Sequence, residues 1–101
     1  MDIQAFLNGL DKLFAKKAID EVEPFLNESM ENAKKENDKS AQFTILNEMM
    51  GFFRDTSQYD KSIKACNQCL SLMKEMNIEG TVDYATSLQN IANAHRAAGK
   101  L

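Results

Sequence analysis

Apolar residues recur at spacings of three and four in five segments of this 101-residue chain. Residues at these spacings share one face of an α-helix, so the pattern predicts amphipathic helices over about residues 2–16, 19–35, 39–55, 57–76 and 81–98. One proline and four glycines are too few to form the turns between many short strands, which indicates an all-α fold. Connections of about 2–5 residues predict that consecutive helices pack antiparallel, as stacked helical hairpins.

Polar residues at the segment borders predict where the helices begin. Asp38 or Ser40 can accept the free amide protons of the third helix, and Thr81 those of the fifth. Ser57 followed by Asp60 is similar to a capping box for the fourth.

Pro24 interrupts the second segment. It cannot donate to the carbonyl four residues earlier, so the helix either begins near Asp20, with Pro24 in its first turn, or kinks at Pro24. We expect the kink. In the turn before the fifth helix, Asn77 or Gly80 can take a positive φ.

Charge and composition restrict the classes of partner. The chain carries 12 basic and 15 acidic residues, and no basic run exceeds two residues, which argues against nucleic acid. No apolar run approaches the ~18 residues that span a bilayer, and the first residues lack a basic signal-peptide start. We therefore expect a single globular domain in the cytoplasm, with neither a membrane nor nucleic acid as its partner. Two cysteines give no disulfide framework.

An internal repeat appears when the third segment is shifted by 42 residues onto the fifth. The shift aligns Leu46 with Leu88, Met49 with Ile91, Met50 with Ala92, Thr44 with Thr86 and Arg54 with Arg96. A shift of 41 aligns Val22 with Ile63 more weakly. A period of this length built from two helices predicts a solenoid, in which no hairpin buries its apolar face alone.

Residues 84–101, YATSLQNIANAHRAAGKL, resemble the first helix and turn of a long-form tetratricopeptide repeat, similar to those of kinesin light chains and bacterial peptide-sensing regulators. The family's positions fall on Leu88, Ile91, Ala92, His95, Gly99 and Leu101, and one repeat earlier on Leu46, Met49, Met50, Phe53, Ser57 and Tyr59. In the preceding second helix, the small, aromatic and small positions fall on Ser62, Cys66 and Cys69. Met50 and His95 depart from the family's small and aromatic residues.

The resemblance divides the chain into a degenerate first hairpin (1–38), a second repeat (39–79) and the first helix of a truncated third (80–101). It also implies a non-catalytic scaffold, without a cofactor, that binds a protein or peptide along the first helices of its repeats.

Two matching polar ladders are the candidate binding residues: Thr44, Asn47, Gly51 and Arg54 on the third helix, and Thr86, Gln89, Asn93 and Arg96 on the fifth. Amide side chains can pair with a peptide backbone, and arginines with a carboxylate or phosphate. A glycine allows close approach of a ligand. The alternative is that these residues are only the solvated face of amphipathic helices.

Cys66 and Cys69 form a C-x-x-C pattern that can serve thiol exchange or metal binding, so a redox- or metal-responsive module is the alternative function. Their spacing coincides with an apolar stripe, and we expect both to be packed in the core. For His95, the sole histidine, the place in the repeat predicts packing, or exposure toward a following helix, rather than catalysis. Met49, Met50 and Phe53 should point inward, and Phe52 outward.

In the repeat register a sixth helix would begin at Leu101, so Leu88, Ile91 and His95 on the fifth helix lack a covering neighbour. We expect either a piece of a longer repeat protein or a homodimer through this helix. A purely structural dimerisation segment is therefore a third possible function, beside the binding scaffold and the redox- or metal-responsive module.

Overall fold

The computed structural model describes residues 1–78 and 80–99, which fold into α-helices without any strand. Its helices are α1 (Ile3–Ala15), α2 (Val22–Lys35), α3 (Lys39–Asp55), α4 (Tyr59–Met76) and α5 (Val82–Ala98), and a short 3-10 helix (Ile19–Glu21) precedes α2. The all-α prediction is confirmed, with helix ends within about two or three residues of those expected. In this described part, every helix is too short or too polar to cross a membrane.

Four helices end in the same way, in a residue with left-handed backbone geometry. These residues are Lys17, Asn37, Ser57 and Asn77, with φ of 58°, 52°, 60° and 54°, at intervals of 20 residues. After the first three, the next amide donates to a carbonyl five residues earlier: Ala18 to Leu13, Asp38 to Ala33, and Gln58 to Phe53. These bonds define the Schellman motif, which satisfies carbonyls at the helix end and reverses the chain within a few residues.

Two of the three predicted helix caps are present. The Asp38 carboxylate accepts from the Ala41 N–H at 3.0 Å, and the Thr81 hydroxyl accepts from the Tyr84 N–H at 3.1 Å. The capping box at Ser57 is wrong, because Ser57 has φ 60° and terminates α3. Gln58 takes the N-cap position of α4 without a side-chain hydrogen bond.

Pro24 is the third residue of α2. The expected kink is wrong, and the alternative, with Pro24 in the first turn, is the one observed. Amides in a first helical turn have no partner within the helix, so a proline there removes no helical hydrogen bond.

The chain divides into two compact units, residues 1–45 and 46–101, with the division inside α3. In the first unit, the rings of Phe6 and Phe25 stack with centroids 5.6 Å apart. A Cβ added at Gly9 would lie 2.9 Å from Cζ of Phe25, so glycine leaves the space that this ring occupies. The hydrogen bond from Ala41, followed by one from the amino group of Met1, lowers the pKa of Asp38.

The second unit buries apolar side chains from α3, α4 and α5, including Met49, Met50 and Phe53 as predicted. Phe52 is also buried, with 8% of its surface exposed, so the prediction that it points outward is wrong. Its ring contacts Phe53, with centroids 5.6 Å apart. α3 is buried over a broader arc than the single stripe that its sequence pattern indicates.

Candidate binding face on α3 and α5

Asn47 connects α3 to α5 through its side-chain amide. Its Oδ1 accepts hydrogen bonds from the hydroxyl of Ser87 at 3.1 Å and from Nδ2 of Asn90 at 3.0 Å. Ser87 is 1% exposed, so this bond satisfies a hydroxyl that has almost no access to water. The bonds hold the part of α3 that follows residue 45 directly beside α5.

Sequence reasoning placed Asn47 among the ligand-facing residues and missed its two partners. Ser87 lies on the buried line of α5 with Ile91 and Ala94. A polar residue on an apolar stripe opposite a polar residue of a neighbouring helix is the signal that would have indicated this contact.

The other candidate binding residues on α3 differ in whether their polar groups are paired within the chain. Nε of Arg54 donates to Oδ1 of Asp55 at 3.3 Å, an exposed pair between adjacent residues that contributes little stability. A Cβ added at Gly51 would lie 3.8 Å from Nη2 of Arg54, an ordinary contact. The guanidinium therefore lies close to Gly51, and no contact within the described chain requires a glycine there.

Thr44, the remaining candidate on α3, belongs to the first unit. Its hydroxyl donates to the carbonyl of Ser40 at 3.2 Å, one turn earlier in α3. The Thr44 hydroxyl is therefore already hydrogen-bonded within α3.

The candidate binding residues on α5 lie on the side of the helix opposite its buried residues, which are Ser87, Ile91 and Ala94. Thr86, Gln89 and Arg96 are exposed, and Asn93 is partly buried. Within residues 80–99 and the rest of the described chain, the side chains of Gln89 and Arg96 make no hydrogen bond or ion pair. Their donors and acceptors face solvent.

Cys66 and Cys69 are packed in the core, as predicted. Burial, with a smaller contribution from Cys69, raises the pKa of the Cys66 thiol from its ordinary 9.0 to about 11. Burial also raises the pKa of Cys69, while a hydrogen bond with Ser87 acts in the opposite direction. Both thiols are therefore protonated and unreactive near neutral pH.

His95 is exposed on α5, the second of the two alternatives that its place in the repeat predicted. Among the described residues, no three His, Cys, Asp or Glu side chains are grouped closely enough to hold a metal ion.

The comparisons with known proteins gave no match to a family model, to a curated protein or to a solved structure.

Proposed function

We propose that this chain is a non-catalytic, tetratricopeptide-like module of the cytoplasm that binds a peptide or protein segment along α3 and α5. The observation that carries the proposal is the Asn47 contact with Ser87 and Asn90, which sets two polar stripes side by side within one unit. We call this surface the polar face; it comprises Asn47, Gly51 and Arg54 on α3 and Thr86, Gln89, Asn93 and Arg96 on α5.

The chemistry of the polar face suits an extended peptide. An amide side chain presents a donor and an acceptor, the pair that a peptide backbone needs, and Gln89 and Asn93 supply two amides one turn apart. Arg96 adds a guanidinium one turn further, which can bind a carboxylate in bidentate geometry. Arg54 supplies a second guanidinium, because its weak exposed pair with Asp55 can exchange for a ligand at little cost.

The thiol pair favours this proposal over a redox module. A reactive dithiol needs an accessible thiolate, whereas Cys66 and Cys69 are each 0% exposed and have raised pKa values.

The experiment that tests the proposal is affinity capture from the native cell with mass spectrometry. It compares the wild-type chain with the Arg54→Ala/Arg96→Ala pair. The matched control is Lys64→Ala/Lys74→Ala, which removes the same charge from exposed positions on α4. Loss of one defined partner in the arginine variant, with its retention in the control, supports the polar face as the binding surface. Equal capture by all three proteins contradicts it.

A further inference from the structure

Gly51 lies in the interior of α3, where a glycine destabilises a helix relative to alanine because it loses more backbone freedom on folding. The glycine inside α1, Gly9, has a structural reason, since the ring of Phe25 occupies the space of a Cβ at 2.9 Å. A Cβ added at Gly51 would meet only Nη2 of Arg54, at 3.8 Å. Within the described chain, the space beside Gly51 is therefore open.

Arg54, one turn further along α3, forms one side of this open space. Its contact with Asp55 uses Nε, at 3.3 Å, whereas Nη2 is the atom that lies near Gly51. A ligand that touches the α3 backbone at Gly51 would therefore lie beside the end of the guanidinium that the Asp55 contact leaves open.

Asn90 is the residue of α5 whose side-chain amide reaches α3, where its Nδ2 donates to Oδ1 of Asn47 at 3.0 Å. α5 turns Ile91 toward the core, so the prediction that Ile91 is uncovered is wrong. With Ile91 buried, Asn90 lies between the buried side of α5 and the polar face, one turn before Asn93. Sequence analysis did not place Asn90 among the candidate binding residues.

The two amides of this pair differ in what they can still bind. Oδ1 of Asn47 accepts from both Ser87 and Asn90, which uses the two lone pairs of that oxygen. Oδ1 of Asn90 accepts no hydrogen bond from the described residues, and the side chain is only partly buried. Asn47 therefore orients the Asn90 amide, whose oxygen remains an open acceptor.

The open space and the open acceptor lie close to one another. α4 comes between α3 and α5 in the chain, with a short turn at each of its ends, so α3 and α5 run in the same direction. One turn beyond the contact of Asn47 with Asn90, the chain places Gly51 on α3 and Asn93 on α5. The missing side chain at Gly51 therefore widens the groove between the two helices beside the Asn90 amide.

From these contacts we propose that the ligand of the polar face crosses α3 at Gly51 in an extended conformation and donates a main-chain N–H to Oδ1 of Asn90. Asn47 is then a positioning residue, which orients that amide. A helical ligand does not fit this role, because its main-chain N–H groups are hydrogen-bonded within the helix. This crossing point rests on the proposed function, to which it adds Asn90 as a binding residue and an extended main chain as the group recognised.

The probe is a phage-displayed library of random peptides of about twelve residues, selected on the wild-type chain and counter-selected on the Arg54→Ala/Arg96→Ala pair. Fluorescence anisotropy then measures the affinity of a synthetic copy of an enriched peptide. Gly51→Ala should weaken binding at least about tenfold, because the added methyl group occupies the crossing point. Asn67→Ala, at an exposed position of α4, is the control and should leave the affinity unchanged.

N-methylation of the peptide tests the main-chain hydrogen bond, because it removes one N–H at a time. At one position it should weaken binding to the wild-type chain about fivefold or more. Asn90→Ala should weaken binding of the unmethylated peptide by a similar factor, and N-methylation at that position should then cause almost no further loss. A residue that only supports the fold would leave the effect of N-methylation unchanged. Circular dichroism establishes that each variant keeps its helix content.

The possible failures are distinguishable. Equal affinity of the peptide for Gly51→Ala and the wild-type chain would overturn the crossing point. An effect of N-methylation that is the same in Asn90→Ala and the wild-type chain would overturn the pairing with Asn90. Both results leave the proposed function standing, since the selected peptides still require the arginines. A library that yields no arginine-dependent peptide would contradict the proposed function and the crossing point together.

Discussion

Oδ1 of Asn47 lies 3.1 Å from the hydroxyl of Ser87, 40 residues later in the chain. The hydroxyl is buried, and the same oxygen also accepts from Asn90. Apolar packing sets the distance between two helices with little directional preference, whereas a hydrogen bond between side chains selects one alignment along their axes. The Asn47 contact therefore fixes which residues of α3 and α5 are neighbours, and the polar face depends on that alignment.

Replacing Asn47 with alanine should reduce the free energy of unfolding by about 1–2 kcal/mol. Ser87 and Asn90 both lose their shared acceptor, and the buried hydroxyl of Ser87 keeps only its weaker hydrogen bond with the Cys69 thiol. Chemical denaturation measures the change. Gln68→Ala, at an exposed position of α4, is the control and should stay within about 0.5 kcal/mol of wild type. Equal stability of Asn47→Ala and Gln68→Ala would show that the hydrogen bond does not hold the two helices.

Two helical glycines should respond in opposite directions to alanine. Gly9→Ala would place its Cβ 2.9 Å from the stacked ring of Phe25, so overpacking should cost about 1–3 kcal/mol and exceed the gain in helix propensity. Gly51→Ala meets only an ordinary contact at 3.8 Å and should gain about 0.5–1 kcal/mol. Thermal unfolding of the two variants measures both effects, and a stabilised Gly9→Ala would contradict the packing described for the first unit.

Ser57 and Asn77 test the helix ends. Ser57→Gly should stabilise the chain by about 0.5–1 kcal/mol, because glycine adopts the observed φ of 60° without the steric penalty of a side chain. Asn77→Gly should gain less, since asparagine tolerates the left-handed region better than serine does. Urea denaturation ranks the variants, and a destabilised Ser57→Gly would contradict the turn geometry.

The regular features of the fold could be predicted from sequence, because they depend on neighbours along the chain. Apolar spacing located the five helices, and Asp38 and Thr81 act as caps because each accepts an amide three residues later. Ser57 shows the limit of such local reasoning. The same Ser-x-x-Asp pattern is compatible with a cap and with a left-handed helix end, and the Schellman bond from Gln58 to Phe53 decides between them.

The candidate site was less predictable, because its geometry depends on contacts between distant segments. Periodicity separates the polar side of α3 from its apolar side, but it does not show that Asn47 turns toward Ser87. It also assumes one buried stripe for each helix, and Phe52 is buried because α3 is covered over a wider arc. Arg54 and Arg96 were found by their matching positions in the 42-residue register, and their role as ligand-binding residues stays a prediction.

The buried thiols should make stability depend on alkaline pH. Burial raises the pKa of Cys66 from 9.0 to about 11, so between these values the unfolded chain loses a proton that the folded chain keeps. This contribution to stability is complete below pH 9 and is lost as the pH rises toward 11. Denaturation midpoints at several pH values measure the loss.

The Cys66→Ala/Cys69→Ala variant is the control, and its stability should fall less over the same pH range. In a second readout at pH 7.5, Ellman's reagent should label wild-type thiols slowly until denaturant is added. Rapid labelling of the folded chain would show that the thiols are accessible and would support the redox module instead.

The most direct test of the peptide-binding claim is site-specific photo-crosslinking in the native cell. The photoreactive residue p-benzoylphenylalanine replaces Gln89 on the polar face, the exposed Leu88 on another side of α5, or Lys64 on the exposed side of α4. We expect position 89 to form a covalent adduct with one defined partner segment and position 64 to form none. The Arg54→Ala/Arg96→Ala pair should abolish the adduct at position 89. Adducts only at position 88, or the same adducts at positions 89 and 64, would contradict binding along α3 and α5.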